Sequence, residues 1–148
     1  MKKTTCIYLE QDNKYLMLHR NKKEKDINKD KWIGVGGHVE NNETVDECVI
    51  REVKEETNLD LISFRLCGEV LFVLNGYSEL MYVYTSDNFK GEIKDCNEGT
   101  LEWIEKEKVL DLPIWEGDRL IFKEINNGNY FKLKLVYEND NLVLSEYY

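Results

Sequence analysis

The chain is short of basic charge, carries only two histidines and one proline, and has no apolar run near the length of a membrane span. Each shortage closes a class of function. Against 29 aspartates and glutamates stand 20 lysines and arginines, a formal net charge of −9, which excludes electrostatic attachment to a nucleic-acid polymer or to an anionic membrane surface. No stretch approaches the roughly 20 apolar residues that cross a bilayer, and the opening MKKTTCIYLEQ has no signal-peptide core. None of the four cysteines, Cys6, Cys48, Cys67 and Cys96, belongs to a C-x-x-C pair, and three lie in apolar runs, so buried reduced thiols and a cytoplasmic location are expected. No serine or cysteine stands at a nucleophile elbow, so His19 and His38 read as solvated or packing residues.

What is present suits one compact domain over residues 1–148, with 42% hydrophobic content and no internal repeat. Residues 4–10 and 14–20 flank Gln11-Asp12-Asn13 as a hairpin. The polar stretch 21–31 reads as a mobile loop, its lysines solvated or attracting phosphate. Brief strands are expected at 32–35 and 38–40, around Gly34, Gly36 and Gly37. A helix over 44–57 follows, then strands over 61–74 and 79–85 across Asn75-Gly76, a strong turn pair. A strand at 101–104, a short helix at 106–110, a helix over 115–125 and a closing hairpin of 130–137 with 142–147 complete an α+β pattern.

Residues 37–59, GHVENNETVDECVIREVKEETNL, carry the most specific signal. Gly37 is followed by Glu43, then by Arg51-Glu52, with Glu55 and Glu56 one helical turn beyond Glu52. At about 100° per residue, Glu52, Glu55 and Glu56 share one flank of a helix and prolong the inward stripe of Val45, Cys48 and Val49. Like charges so placed repel one another, and burying them is costly unless a cation compensates. Mg2+ or Mn2+ takes oxygen ligands and leaves positions for phosphate oxygens, so the chemistry implied is phosphate transfer to water.

The spacing G-x5-E-x7-R-E-U-x-E-E-x-G-U, with U aliphatic, is the signature of the Nudix hydrolases, which the chain resembles at Gly37, Glu43, Arg51, Glu52, Val53, Glu55, Glu56 and Leu59. Asn58 replaces the second signature glycine at the helix end, a left-handed position that asparagine tolerates. The resemblance implies an α/β/α sandwich with a mixed sheet and a Mg2+-dependent enzyme. It implies metal ligation by Glu52, Glu55, Glu56 and the Gly36 carbonyl. Arg51, braced by Glu43, would orient a signature glutamate, and Glu55 would be the general base. A further acid is expected from outside the signature: Glu102, directly before Trp103, resembles the choice of bacterial MutT-type enzymes, and Glu98 that of the animal oxidised-nucleotide hydrolases.

Arg20 resembles a family position that contacts substrate phosphates. Residues 112–118, LPIWEGD, are similar to the oxidised-purine hydrolases, in which a tryptophan stacks on the base and a nearby acid bonds its edge; here these would be Trp115 and Asp118. Stacking is worth about 1 to 3 kcal/mol and separates bases poorly, whereas hydrogen bonds to a desolvated edge discriminate. Residues 30–37, DKWIGVGG, are similar as well, with Ile33 at the substrate position where animal enzymes carry a base-reading asparagine. The expected substrate is a small nucleotide, an oxidised nucleoside triphosphate such as 8-oxo-dGTP, cut to monophosphate and pyrophosphate by a monomer or homodimer. ADP-ribose, nucleotide sugars and dinucleoside polyphosphates are the alternative substrates. A non-catalytic nucleotide sensor is the alternative class, and the intact acidic set argues against it.

Overall fold

The computed structural model describes residues 1–148, in the order β1 (Lys2–Gln11), β2 (Lys14–His19), β3 (Trp32–Ile33), α1 (Val45–Thr57), β4 (Asp60–Leu74), β5 (Tyr77–Lys90), β6 (Thr100–Glu105), α2 (Lys106–Val109), α3 (Asp118–Asn127), β7 (Phe131–Glu138) and β8 (Asn141–Tyr147). Tight turns fall where the side chain tolerates positive φ. Asp12 and Asn13, at 52° and 61°, close β1 onto β2, and Asn75-Gly76, at 49° and 85°, close β4 onto β5. Two-residue turns of this hand match the twist of the strands they join.

The sheet is mixed. β5 runs parallel to β1 and antiparallel to β4, β4 runs parallel to β7, and β8 closes the edge antiparallel to β7. β2 pairs with β1 only beside their turn, then leaves it to pair with β6 along its length and with β3 at its far end. The backbone of residues 35–39 fills the gap. Ile7 and Val35 exchange hydrogen bonds of 2.7 and 3.1 Å, the Thr5 N–H donates to the Gly37 carbonyl at 2.9 Å, and the Val39 N–H donates to the Lys3 carbonyl at 2.9 Å. The strand expected at 38–40 is only a single antiparallel bridge between Thr4 and His38; residues 35–39 run beside β1, but the Gly36 N–H is diverted to Glu56 and the ladder stays broken.

Two-residue alternation lets one sheet serve two helices. Ile7, Leu9, Leu16 and Tyr84 face α1 and meet Val49 and Val53. Their neighbours Cys6, Tyr8, Tyr15, Met17 and Val83 face the other way, joining Leu133, Leu135 and Tyr137 against Ile121, Phe122 and Ile125 of α3. The layers thus read α/β/α, and each fully buried aliphatic or aromatic side chain contributes about 1.5 to 3 kcal/mol.

α1 is defined by its ends. Thr44 Oγ1 accepts from the Glu47 N–H at 3.0 Å while the Glu47 carboxylate accepts from the Thr44 N–H at 2.9 Å, a reciprocal cap. Asn58 ends the helix at φ 70°, its N–H donating to the Lys54 carbonyl. α3 begins three residues later than periodicity predicts. Gly117 donates its N–H to the Tyr137 hydroxyl at 2.8 Å, so Trp115 stands in a turn ahead of the helix. All four cysteines are free, with Cys6, Cys48 and Cys67 buried, and no helix is long and apolar enough to cross a membrane.

Candidate active site

Arg51 is the hub of the signature helix. Its Nε and Nη2 grip both oxygens of Glu43 at 2.6 and 3.0 Å, Nη1 donates to Glu52 at 2.9 Å and to Glu55 at 3.1 Å, and Nη2 also reaches the His38 carbonyl at 3.1 Å. A planar guanidinium satisfies this fan of acceptors where an ammonium could not. Hydrogen bonds from Arg51, then from the Glu40 N–H, pull the Glu43 carboxyl down to about 2. Glu52 is held above the ordinary carboxylate range by burial, with Arg51 opposing.

The three signature acids occupy different environments. Glu55 is 58% exposed, Glu52 is 15% exposed, and Glu56 is buried with its Oε2 accepting from the Gly36 N–H at 2.9 Å. Burial, and then Glu98 set against it, pushes the Glu56 carboxyl far above its usual range; Glu98, which accepts from Glu56 and lies near Arg20 and Lys23, is held low. The acidic side chains do not converge on one point as a shared ladder would require, and no three of them stand together as a closed metal-ligating set. The single charge of Arg51 is shared among Glu43, Glu52 and Glu55, so the cluster keeps excess negative charge. The donor chemistry nonetheless fits a hard divalent cation, since Glu52, Glu56 and Glu98 offer only carboxylate oxygens around the tight turn at Gly36.

That turn admits no side chain. A Cβ on Gly36 would lie 1.9 Å from the Thr5 carbonyl oxygen, and one on Gly37 would lie 2.5 Å from Glu52 Oε1. Beside it opens a cavity of about 560 Å3 whose wall carries Gly36, Gly37, Glu52, Glu98 and Arg20 together with Ile33, Phe72, Trp115, Asp118 and Tyr137. Of the two candidate extra acids, only Glu98 reaches it. Glu102 is exposed on β6 opposite Met17 and does not line the cavity, nor do Glu55 and Glu56.

Trp115 is 6% exposed, packed edge-on to Phe72 and Tyr137 at centroid distances of 5.4 and 4.9 Å, with Lys31 Nζ 4.7 Å over its ring. It is therefore both a core anchor and a cavity wall. Burial pushes the enclosed carboxyl of Asp118 up to about 7, opposed by a backbone hydrogen bond from Trp115 and by Lys31. Arg20, expected to face phosphate, donates from Nε to Asp26 at 2.7 Å and lies 3.4 Å from Glu98. Loop 21–31 is tied down, which its composition does not foretell: Asp26 and Asn28 line the cavity, and the Trp115 Nε1–H donates to Asn28 Oδ1 at 2.7 Å. Asp26, Asn28, Phe72 and Tyr137 went unrecognised in the sequence, where nothing marks them except their neighbours in space. His19 stacks on Trp32 at 4.4 Å, and His38 Nε2 lies 3.1 Å from Glu79.

A sequence model of the NUDIX domain matches residues 2–125. The chain belongs to the Nudix family. It is similar to an uncharacterized Nudix hydrolase, YvcI, of Bacillus subtilis, at 29% identity over 131 residues that span 84% of this chain and 78% of that one. It is also similar to an oxidized purine nucleoside triphosphate hydrolase of Danio rerio, at 30% identity over 102 residues, 68% of this chain and 65% of the relative's length. Among solved structures, a mutator MutT protein of Bacillus halodurans superposes with a TM-score of 0.87 at 26% identity, covering 99% of this chain and 97% of that one. The mixed sheet between α1 and α3 is thus the Nudix fold, and the chain is a Nudix hydrolase.

Proposed function

We propose that this Nudix hydrolase cuts a nucleoside triphosphate, of the oxidised purine type represented by 8-oxo-dGTP, to a nucleoside monophosphate and pyrophosphate, acting as one domain in the cytoplasm. The observation that carries this reading is a single cavity whose wall holds Glu52 and Glu98 beside Arg20 as well as an aromatic pair with a buried acid, the two chemistries that a triphosphate tail and a base require. The activity named for the zebrafish relative supports it, and the free thiols support a reducing compartment.

In this reading Glu52, Glu56, Glu98 and the Gly36 carbonyl would hold Mg2+ or Mn2+, which when bound offsets phosphate charge and acidifies a water. Glu55, the most accessible of the signature acids, takes the proton of the attacking water. Arg51, clamped by Glu43, fixes Glu52 and Glu55 in orientation. Arg20 faces the phosphates, Trp115 and Phe72 bound the base, and Asp118 bonds its edge, with Ile33 as an apolar neighbour. Glu102 has no part.

Incubation with 8-oxo-dGTP, dGTP and ADP-ribose, each with Mg2+ and with Mn2+, tests the assignment by product. Pyrophosphate released from 8-oxo-dGTP in preference to dGTP is expected. Release of a sugar phosphate from ADP-ribose as the faster reaction would overturn the substrate class, and no cleavage of any diphosphate linkage would overturn the activity.

A further inference from the structure

We propose that Asn28 is a specificity-determining residue of this site, holding the Trp115 indole with one end of its carboxamide and presenting the other end as a donor to the planar group lodged against Trp115. The inference rests on the nucleotide reading above and extends it to a loop outside the signature helix. Indole Nε1–H can only donate, so its 2.7 Å bond fixes which atom of the Asn28 amide is the oxygen. The Nδ2 group is thereby left as the free end, and it makes no hydrogen bond elsewhere in the protein. Asn28 lines the cavity beside Trp115. A donor fixed at a cavity wall favours a ligand with an acceptor at that edge, such as a base carbonyl or an unprotonated ring nitrogen, and penalises one that offers a donor or a bare C–H.

The position of Asn28 is built, not incidental. Its backbone N–H donates to Asp26 Oδ1 at 3.0 Å, and Asp26 Oδ2 accepts from Arg20 Nε at 2.7 Å. A continuous chain of hydrogen bonds therefore runs from the arginine on the acidic wall to the tryptophan on the aromatic wall.

The test uses the full chain. Asn28→Asp keeps the acceptor for Trp115 but deletes the donor and adds a negative charge, so its binding is judged on an uncharged ligand; Asn28→Ala deletes both ends, and Trp115→Phe removes the indole N–H while keeping a ring. Kd for the uncharged nucleoside 8-oxo-deoxyguanosine without metal, by calorimetry, is the deciding readout, with kcat and KM for 8-oxo-dGTP with Mg2+ measured beside thermal melting. Asn28→Asp is expected to weaken Kd and raise KM by about tenfold or more, with a smaller fall in kcat and an unchanged melting temperature, as loss of one ligand hydrogen bond requires. Trp115→Phe should weaken binding less than Asn28→Ala. A purely structural role predicts the opposite, with Asn28→Asp binding like wild type and Asn28→Ala melting lower. Wild-type binding with an unaltered Asn28→Asp variant overturns the role of Asn28 alone; a wild type that neither binds nor cleaves any nucleotide overturns this inference together with the reading beneath it.

Discussion

The close approach of the glycine turn to β1 makes a sharp prediction about two adjacent positions. In Gly36→Ala the new Cβ would stand 1.9 Å from the Thr5 carbonyl oxygen and 2.6 Å from its carbon, against 3.4 Å for ordinary contact. About 1.5 Å of separation is missing, and the obstruction is backbone in a paired strand, which cannot rotate away. Relief requires the turn to lift from β1, and the bonds at risk are Thr5 N–H to Gly37, the Ile7 and Val35 pair, and Gly36 N–H to Glu56. At about 0.5 to 1.5 kcal/mol each, with overpacking strain in addition, Gly36→Ala should lose about 3 to 5 kcal/mol. For a chain of this size that lowers the melting temperature by about 10 °C. Gly37→Ala meets only the end of the Glu52 side chain, at 2.5 Å from Oε1, and this end can swing aside. Its stability cost should stay below about 1 kcal/mol while its hydrolytic activity collapses, because Glu52 is displaced from Arg51. Differential scanning calorimetry beside steady-state kinetics reads both quantities. A Gly36→Ala protein melting within about 2 °C of wild type would refute the close approach, and a fully active Gly37→Ala would refute the fixed position of Glu52.

Glu56→Gln retains an acceptor for the Gly36 N–H and should melt like wild type in chelator, yet turn over several orders of magnitude more slowly at saturating Mg2+; normal turnover would remove Glu56 from the ligand set. The Glu43 carboxyl, drawn from its ordinary 4.5 to about 2 by Arg51, contributes stability that is present above pH 4.5 and lost as pH falls through 2, so the urea midpoint gap between wild type and Glu43→Gln should close across that window, and a pH-independent gap would refute the pairing. Asp118 has the opposite sign. Its carboxyl rises from an ordinary 3.8 to about 7, so the native state holds more protons than the unfolded chain between those values and stability falls as pH climbs from about 4 to 7, levelling above. Asn is neutral throughout, so Asp118→Asn should match wild type near pH 4 and be more stable by a few kcal/mol near pH 8, and parallel melting curves at both pH values would contradict burial of this group.

The acidic helix was legible because it is local. Thr44, Arg51, Glu52, Glu56 and Asn58 lie within one helix and its caps, where periodicity and turn chemistry fix which face each side chain takes, and Asn58 adopts the left-handed turn that its place in the signature demands. The strand pattern was legible for the same reason, since alternation and the Asp12-Asn13 and Asn75-Gly76 turns act over a few residues. The rest of the cavity wall is assembled from contacts at long range: Asn28 meets Trp115 across 87 residues, Gly117 meets Tyr137 across 20, and Arg20 meets Glu98 across 78. Periodicity alone would have run a helix through Trp115, and only the bond from Gly117 to Tyr137 shows why it starts at Asp118. Likewise the choice of Glu98 over Glu102 turns on where β6 begins, at Thr100, which leaves Glu98 in the loop beside Arg20 and commits Glu102 to an edge strand. The acidic helix and the aromatic wall of the cavity are therefore encoded on different length scales in this chain. Substitution of Asn28 should alter the aromatic wall without disturbing the acidic helix, because its side chain touches Trp115 and none of the signature acids, whereas Asp26 and Arg20 reach that helix through Glu98.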